Sequence, residues 1–256
     1  MEQITLWFAI ALGAFGLLIG SFLNVVAIRV LNQQSIAYPP SHCVHCKHRL
    51  RAWDLIPLLS YAVLRGRCRY CRAPISAAYP LGEGAAAILF FWTGLRFGPL
   101  DLEWIAGILL CSVLVVVTQT DLKAMLIPDK IVFPSVMLAI LLRLLIHPLP
   151  LWNYVAAAAI GFGILYLLAV VSKGGMGGGD IKLYLFIGLI CGIAPTLLSL
   201  FAASLFGTVY GLARKLVGRG ERGREIPFGP FIAAGAIGSF FYGNAWIEAY
   251  LNLWIL

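Results

Sequence analysis

Four carboxylates stand inside or beside long apolar stretches of this 256-residue chain: Glu83, Asp121, Asp129 and Asp180. Ionised groups are costly in hydrocarbon, so each is a candidate for function by default. Asp121 ends one apolar stretch in Thr118-Gln-Thr-Asp121-Leu-Lys, and Asp180 opens another in Gly174-Gly-Met-Gly-Gly-Gly-Asp180-Ile-Lys. If the two carboxylates meet, they cannot both ionise, and one keeps a proton while the other acts as base. Such a pair can activate water against a peptide bond without a metal or a covalent nucleophile. The glycines before Asp180 remove side chains, so an extended peptide can approach closely. Asp180 also feels the positive end of its own helix, which favours its ionised form and leaves Asp121 as the proton holder. The bland alternatives are a glycine hinge, a helix cap and a solvated boundary residue. Asp129 follows Pro128 and reads as the N-cap of the next helix. Glu83 lies deeper in a stretch, with either an Arg or Lys partner or a substrate contact open to it.

A second constellation is made of sulfur. Cys43-x2-Cys46 and Cys68-x2-Cys71 lie 21 residues apart in a basic, polar segment. That spacing supplies four thiolates to a tetrahedral zinc site with no open position, and hence a structural ion. A disulfide pair and a redox dithiol are the alternatives. His42, His45 and His48 read as solvated loop residues, and Cys111 and Cys191 as small core hydrophobes.

The elements that must carry these groups follow from composition. Hydrophobic residues make up 61% of the chain and charged residues 12%, about half the charged share of a globular domain. A soluble domain of this size leaves roughly 30% of its unfolded surface wet and could not hide so much apolar area. A soluble or disordered protein is therefore excluded. A helix needs about 20 apolar residues to cross a bilayer, and eight stretches are candidates: 4–28, 76–97, 104–120, 131–146, 152–171, 181–193, 196–213 and 228–253. The first carries no preceding positive charge, so it reads as a retained anchor rather than a cleaved signal. The pair 181–193 and 196–213 is too long for one crossing and short for two.

The net charge of +8 points to nucleic acid in a soluble protein, but here position outweighs the sum. Lys and Arg gather in cytoplasmic loops. With eight crossings and both termini external, seventeen of the nineteen fall inside, and Arg96 and Arg143 are left to snorkel from outer helix ends. The expectation is an all-α integral membrane protein of about eight transmembrane helices with a small cytoplasmic four-cysteine zinc-binding loop. Residues 1–30 form the first transmembrane helix, 31–75 the zinc loop and 76–256 a seven-helix core. The lipid bilayer is a partner and nucleic acid is not.

Six motifs in order resemble the type IV prepilin peptidases, the GxGD membrane aspartic proteases. They are Gly20-Ser-Phe-Leu-Asn-Val-Val; the cysteine pairs with Ile56-Pro-Leu-Leu-Ser-Tyr and Leu64-Arg-Gly-Arg-Cys; Ile75-Ser and Tyr79-Pro; Asp121 with Ile127-Pro-Asp129; Gly175-Met-Gly-Gly-Gly-Asp180-Ile-Lys-Leu; and Ile226-Pro-Phe-Gly-Pro-Phe. The resemblance implies that Asp121 and Asp180 are the catalytic aspartates, with Gly177 and Gly179 as the motif glycines. It implies as substrates the precursors of type IV pilins and pseudopilins, cut after a glycine between a short basic cytoplasmic leader and a hydrophobic helix. Members with the four-cysteine loop also methylate the new N-terminus with S-adenosylmethionine. That half rests on resemblance alone, since no Rossmann glycine fingerprint is present. The location implied is the bacterial inner membrane, with the site at the cytoplasmic face. Leu31, Val44 and Gly82 depart from residues common in the family. From the residues alone, two other classes compete. One is a proton-coupled transporter that uses Glu83, Asp121 and Asp180 as a relay, although no inverted repeat is visible. The other is a zinc-loop scaffold without chemistry. The basic loops would not attract a basic leader, so docking falls to apolar helix packing or to a local acid such as Asp54.

Overall fold

The computed structural model describes residues 2–173, 175–217 and 226–255. Gly174 of the glycine run and Arg219, Arg222 and Arg224 of the charge count lie outside the described residues. The described chain is helical, with isolated bridges as its only extended pairings: α1 (Glu2–Leu31), a 3-10 turn (Ala52–Leu55), α2 (Leu59–Val63), α3 (Ala78–Phe97), α4 (Glu103–Ala124), α5 (Asp129–Leu145), α6 (Leu151–Val171), α7 (Gly178–Cys191), α8 (Ile193–Leu216) and α9 (Gly229–Ile255). A long helix stands at each of the eight apolar stretches. Four of them, α1, α4, α6 and α8, are long and apolar enough to cross a membrane. At 17 and 14 residues, α5 and α7 are shorter than the about 20 residues a perpendicular crossing takes.

The chain divides into two compact units, residues 1–120 and 121–256. In the first, α1 and α3 pack backbone to backbone through small residues, as helices do where lipid supplies no hydrophobic drive. A Cβ on Gly16 would stand 2.8 Å from the Ala86 carbonyl oxygen, and one on Gly20 2.9 Å from the Glu83 Cα. Glu83 is buried, and its Oε2 accepts the Leu58 N–H at 2.8 Å. Leu58 has φ of +58° and is the N-cap of α2. Glu83 thus ties the start of α2 to α3 through a backbone N–H, a partner that is neither the Arg or Lys nor the substrate contact left open to it.

The second unit is built around α7, which packs against α5, α6, α8 and α9. Leu183, Tyr184, Phe186 and Ile187 on it are fully buried. The doubtful stretch from Ile181 to Ala213 is two helices, broken at Gly192 with φ of +78°, a conformation that costs glycine nothing. The Ile193 N–H that the break frees donates to Asn153 Oδ1 at 3.0 Å.

Two expectations fail here. Arg143 does not snorkel: it is 3% exposed, and its guanidinium donates to the carbonyls of Leu189 and Ile190 and lies 4.4 Å from the centre of the Tyr154 ring. Those carbonyls are in the last turn of α7, where four C=O groups have no partner within the helix and the dipole favours a cation. Ending α7 early costs little because a buried Arg meets its exposed end. Arg143→Leu is expected to destabilise the protein by about 2 to 4 kcal/mol by orphaning those oxygens, read as a lowered melting temperature in detergent, while Arg143→Lys recovers part of the loss. Asp129 is likewise not an N-cap. Pro128 holds that position, and Asp129 forms an ion pair with Lys182 at 2.8 Å that joins the starts of α5 and α7.

Candidate active site and metal centre

Asp121 lies in the last turns of α4 and Asp180 in the first turn of α7. The fold brings them together closely enough for Asp121 to act electrostatically on Asp180. Each carboxylate also meets a helix start. With Gly177 as N-cap of α7, Asp180 is the third residue of the helix and its carboxylate turns back against Gly177, with Oδ2 3.0 Å from where a Cβ on Gly177 would stand. Asp121 is buried, and its Oδ2 accepts the N–H of Gly229 at 2.7 Å, 108 residues further on and the first residue of α9. The asymmetry expected from helix dipoles therefore disappears: both carboxylates sit where a positive helix end favours negative charge.

Local sterics explain the spacing of the glycines. A Cβ on Gly179 would fall 2.7 Å from the Ile127 Cβ, so only hydrogen there lets the segment before Pro128 pass beside Asp180. On Gly177 it would lie 3.0 Å from Asp180 Oδ2, whereas on Gly178 it would meet nothing within 4 Å. Gly178→Ala is therefore expected to keep full activity and gain a few tenths of a kcal/mol from helix propensity. Gly179→Ala, by displacing the carboxylate, is expected to lower turnover about 100-fold. Equal activity of the two variants would contradict the steric account. Gly229 was not singled out by sequence reasoning. Its signal was the Ile226-Pro-Phe-Gly-Pro-Phe motif, a glycine beside a proline at a helix start, and a Cβ there would lie 2.8 Å from Asp121 Oδ2.

The four loop cysteines converge. Their sulfur atoms lie within 4.8 Å of one another, and Cys43 Sγ is 3.8 Å from Cys71 Sγ. A tetrahedron with metal–sulfur bonds of about 2.3 Å has edges of about 3.8 Å, so the set has the size for a metal ion. The two halves repeat one turn. The Cys43 N–H donates to the His48 carbonyl and the Lys47 N–H to Cys43, as those of Cys68 and Arg72 do to Ala73 and Cys68, with Lys47 and Arg72 both at positive φ. Burial pushes the Cys43 thiol up, but hydrogen bonds from the Cys46 and His45 backbone and neighbouring thiols outweigh it and bring it to about 6, while at Cys71 the hydrogen bond from the Ala73 backbone is outweighed by burial and neighbouring thiols, which push the thiol up to about 11, so the sulfurs titrate as a set. The histidines stand aside: His48 stacks on Tyr70 and His42 faces the Pro40 carbonyl. Cys111 and Cys191 are buried.

Asp54 does not serve as a free acid. Its Oδ1 accepts from Arg69 at 2.7 Å, and its Oδ2 from the Arg51 N–H and the Tyr70 hydroxyl. Burial works against its charge, but these donors outweigh it and hold the carboxyl below its usual range. The latch ties the 3-10 turn to the second cysteine pair. It holds above the ordinary carboxylate range and is lost as pH falls through the lowered value.

The described residues thus hold helices long and apolar enough to cross a membrane, two carboxylates that each meet a helix start, and a four-thiol loop. Residues 14–97 match the bacterial peptidase A24 N-terminal domain and residues 108–212 the type IV leader peptidase family. The chain is 38% identical to a prepilin leader peptidase/N-methyltransferase of Bacillus subtilis (strain 168), over 93% of this chain and 96% of that protein. Proteins of the same description from Aeromonas hydrophila and Stutzerimonas stutzeri are 34% and 33% identical, each over 93% of this chain and over 92% and 91% of their own. The chain belongs to the type IV leader peptidase family. No solved structure matches it significantly.

Proposed function

We propose that this protein removes the basic leader from prepilins and pseudopilins at the cytoplasmic face of the bacterial inner membrane and then methylates the exposed amine. The observation that carries the reading is the meeting of Asp121 and Asp180, each against a helix start, beside glycines that keep the approach clear. In the reaction, the carboxylate of the pair takes a proton from water as its oxygen attacks the scissile carbonyl carbon. The carboxylic acid gives its proton to the carbonyl oxygen. Collapse of the tetrahedral intermediate breaks the C–N bond, and the amine leaves with a proton returned by the pair.

The eight helices all cross in this reading, with both termini external and the Lys- and Arg-rich loops inside. Residues 1–30 anchor the chain, 31–75 form the zinc loop and 76–256 the catalytic core. Cys43, Cys46, Cys68 and Cys71 would hold one Zn2+, which would fix the loop's two turns without touching substrate. Cys68→Ser is expected to lower bound zinc from about one equivalent to near zero and to loosen the loop to proteolysis; a metal-free preparation with an intact loop would oppose this. Methyl transfer from S-adenosylmethionine is supported by the relatives' description. Incubating the purified enzyme with a prepilin and labelled S-adenosylmethionine tests the whole reading. The product should lose the leader mass and gain the label at its new N-terminus, whereas an intact, unlabelled prepilin would overturn it.

A further inference from the structure

A cavity of about 320 Å³ lies in the second unit between α8 and the start of α9, lined by Ser204, Gly207, Thr208, Ile226, Phe228 and Phe231. It is at the small end of the range for binding pockets, about 300 to 1,000 Å³. Among the described residues, no charged side chain lines it. Thr208 spends its hydroxyl proton on the Ser204 carbonyl at 2.7 Å and so presents its methyl group. Gly207 brings the α8 backbone to the floor, with the Phe228 ring 3.1 Å from where a Cβ would stand. Phe228 and Phe231 form an aromatic wall with centroids 6.3 Å apart.

Three observations say what such a groove takes. Its Ser204, Gly207 and Thr208 share one helix face at i, i+3 and i+4, the small-residue spacing that lets another helix approach closely. On the same helix Leu205, Val209 and Leu212 are exposed and apolar, and α8 is long and apolar enough to cross a membrane, so an occupant reaches the groove sideways through hydrocarbon. Finally, Phe228 is the chain neighbour of Gly229, whose N–H holds Asp121, so the wall of the groove runs into the helix start that meets one of the two aspartates.

We propose that this groove seats the first turns of the apolar transmembrane helix of the substrate, on the far side of the scissile bond from the leader, and so sets which membrane-resident precursors reach the aspartates. The proposal rests on the peptidase reading above and adds the docking surface to it. Residues Gly207, Thr208, Phe228 and Phe231 position substrate and take no part in proton transfer.

The test uses the full-length protein in lipid nanodiscs, made inactive by Asp121→Asn, with a fluorescent type IV prepilin carrying its complete N-terminal helix. Gly207→Leu fills the groove from its floor, and Thr208→Trp fills it from an exposed position that leaves the core untouched. Each is expected to raise the prepilin Kd ~10-fold or more, and in the active enzyme to raise KM with kcat little changed. An unchanged Kd in folded Thr208→Trp protein, or a loss confined to kcat, would overturn the proposal. A photo-crosslinker at position 208 of the otherwise unaltered enzyme gives an independent reading: capture of the prepilin helix is expected, and capture of lipid alone in the presence of prepilin would overturn it. Failure of Asp121→Asn to stop cleavage would instead strike the peptidase reading, leaving the binding results to judge the groove by themselves.

Discussion

Asp180→Asn and Asp121→Asn are each expected to lower prepilin cleavage by a factor on the order of 10⁴ or more, while the protein still inserts and folds. The expectation follows from what an amide cannot do. Asparagine preserves the shape of the carboxylate and can still accept the N–H of Gly177 or Gly229, so packing and the helix start survive. It neither takes a proton from water nor returns one to the leaving amine, and in a metal-free mechanism no other group replaces it. Because the pair acts as a unit, the double variant is expected to be about as inactive as either single one. Methyl transfer to a pre-cleaved pilin should persist in all three. Substantial cleavage by either single variant, with wild-type insertion, would show that the two acids are not the chemical centre.

The second large effect is expected at Gly229. Its N–H is 2.7 Å from Asp121 Oδ2, and its missing side chain makes that approach possible, since a Cβ would stand 2.8 Å from the same oxygen. Gly229→Val forces the carboxylate or the start of α9 to move. A displacement near 1 Å in a catalytic group costs about 100-fold in rate, so kcat should fall by that order with KM little altered. Gly229→Ala should lie between, because a single methyl leaves the N–H in place and displaces only the oxygen. If Gly229→Val cleaves at the wild-type rate, the hydrogen bond does not set the position of Asp121.

Much of this architecture was legible because the dominant forces are local in the sequence. Apolar runs and their interruptions marked the eight helices, although the break in the doubtful stretch falls at Gly192 and not at residues 194–195, and the paired cysteines announced a four-sulfur cluster by spacing alone. The misread residues were those whose partners lie far along the chain. Arg143 looked like a cation at a helix end free to reach water. Its role appears only once α7, whose last turn is some 46 residues away, stops short and exposes its carbonyls to it. Asp129 looked like a cap because it follows a proline, yet Lys182, 53 residues away, claims it. Glu83 left its role open because the backbone N–H it binds is at Leu58, a residue with no polar side chain to signal the link. Asp54 seemed an available acid, since nothing in the spacing tied it to Arg69. The same limit hid Gly229 as the partner of Asp121, as a backbone donor carries no side-chain signature at all.

The central proposal is that Asp121 and Asp180 lie close enough to act as a pair on one peptide bond. Its most direct test is chemical distance. In a background with Cys111 and Cys191 replaced by alanine and the loop thiols held by metal, Asp121→Cys with Asp180→Cys should be joined rapidly by a short bifunctional thiosulfonate in membranes, and prepilin should slow the reaction. A double variant in which both thiols react with a monofunctional reagent but never join would contradict the account.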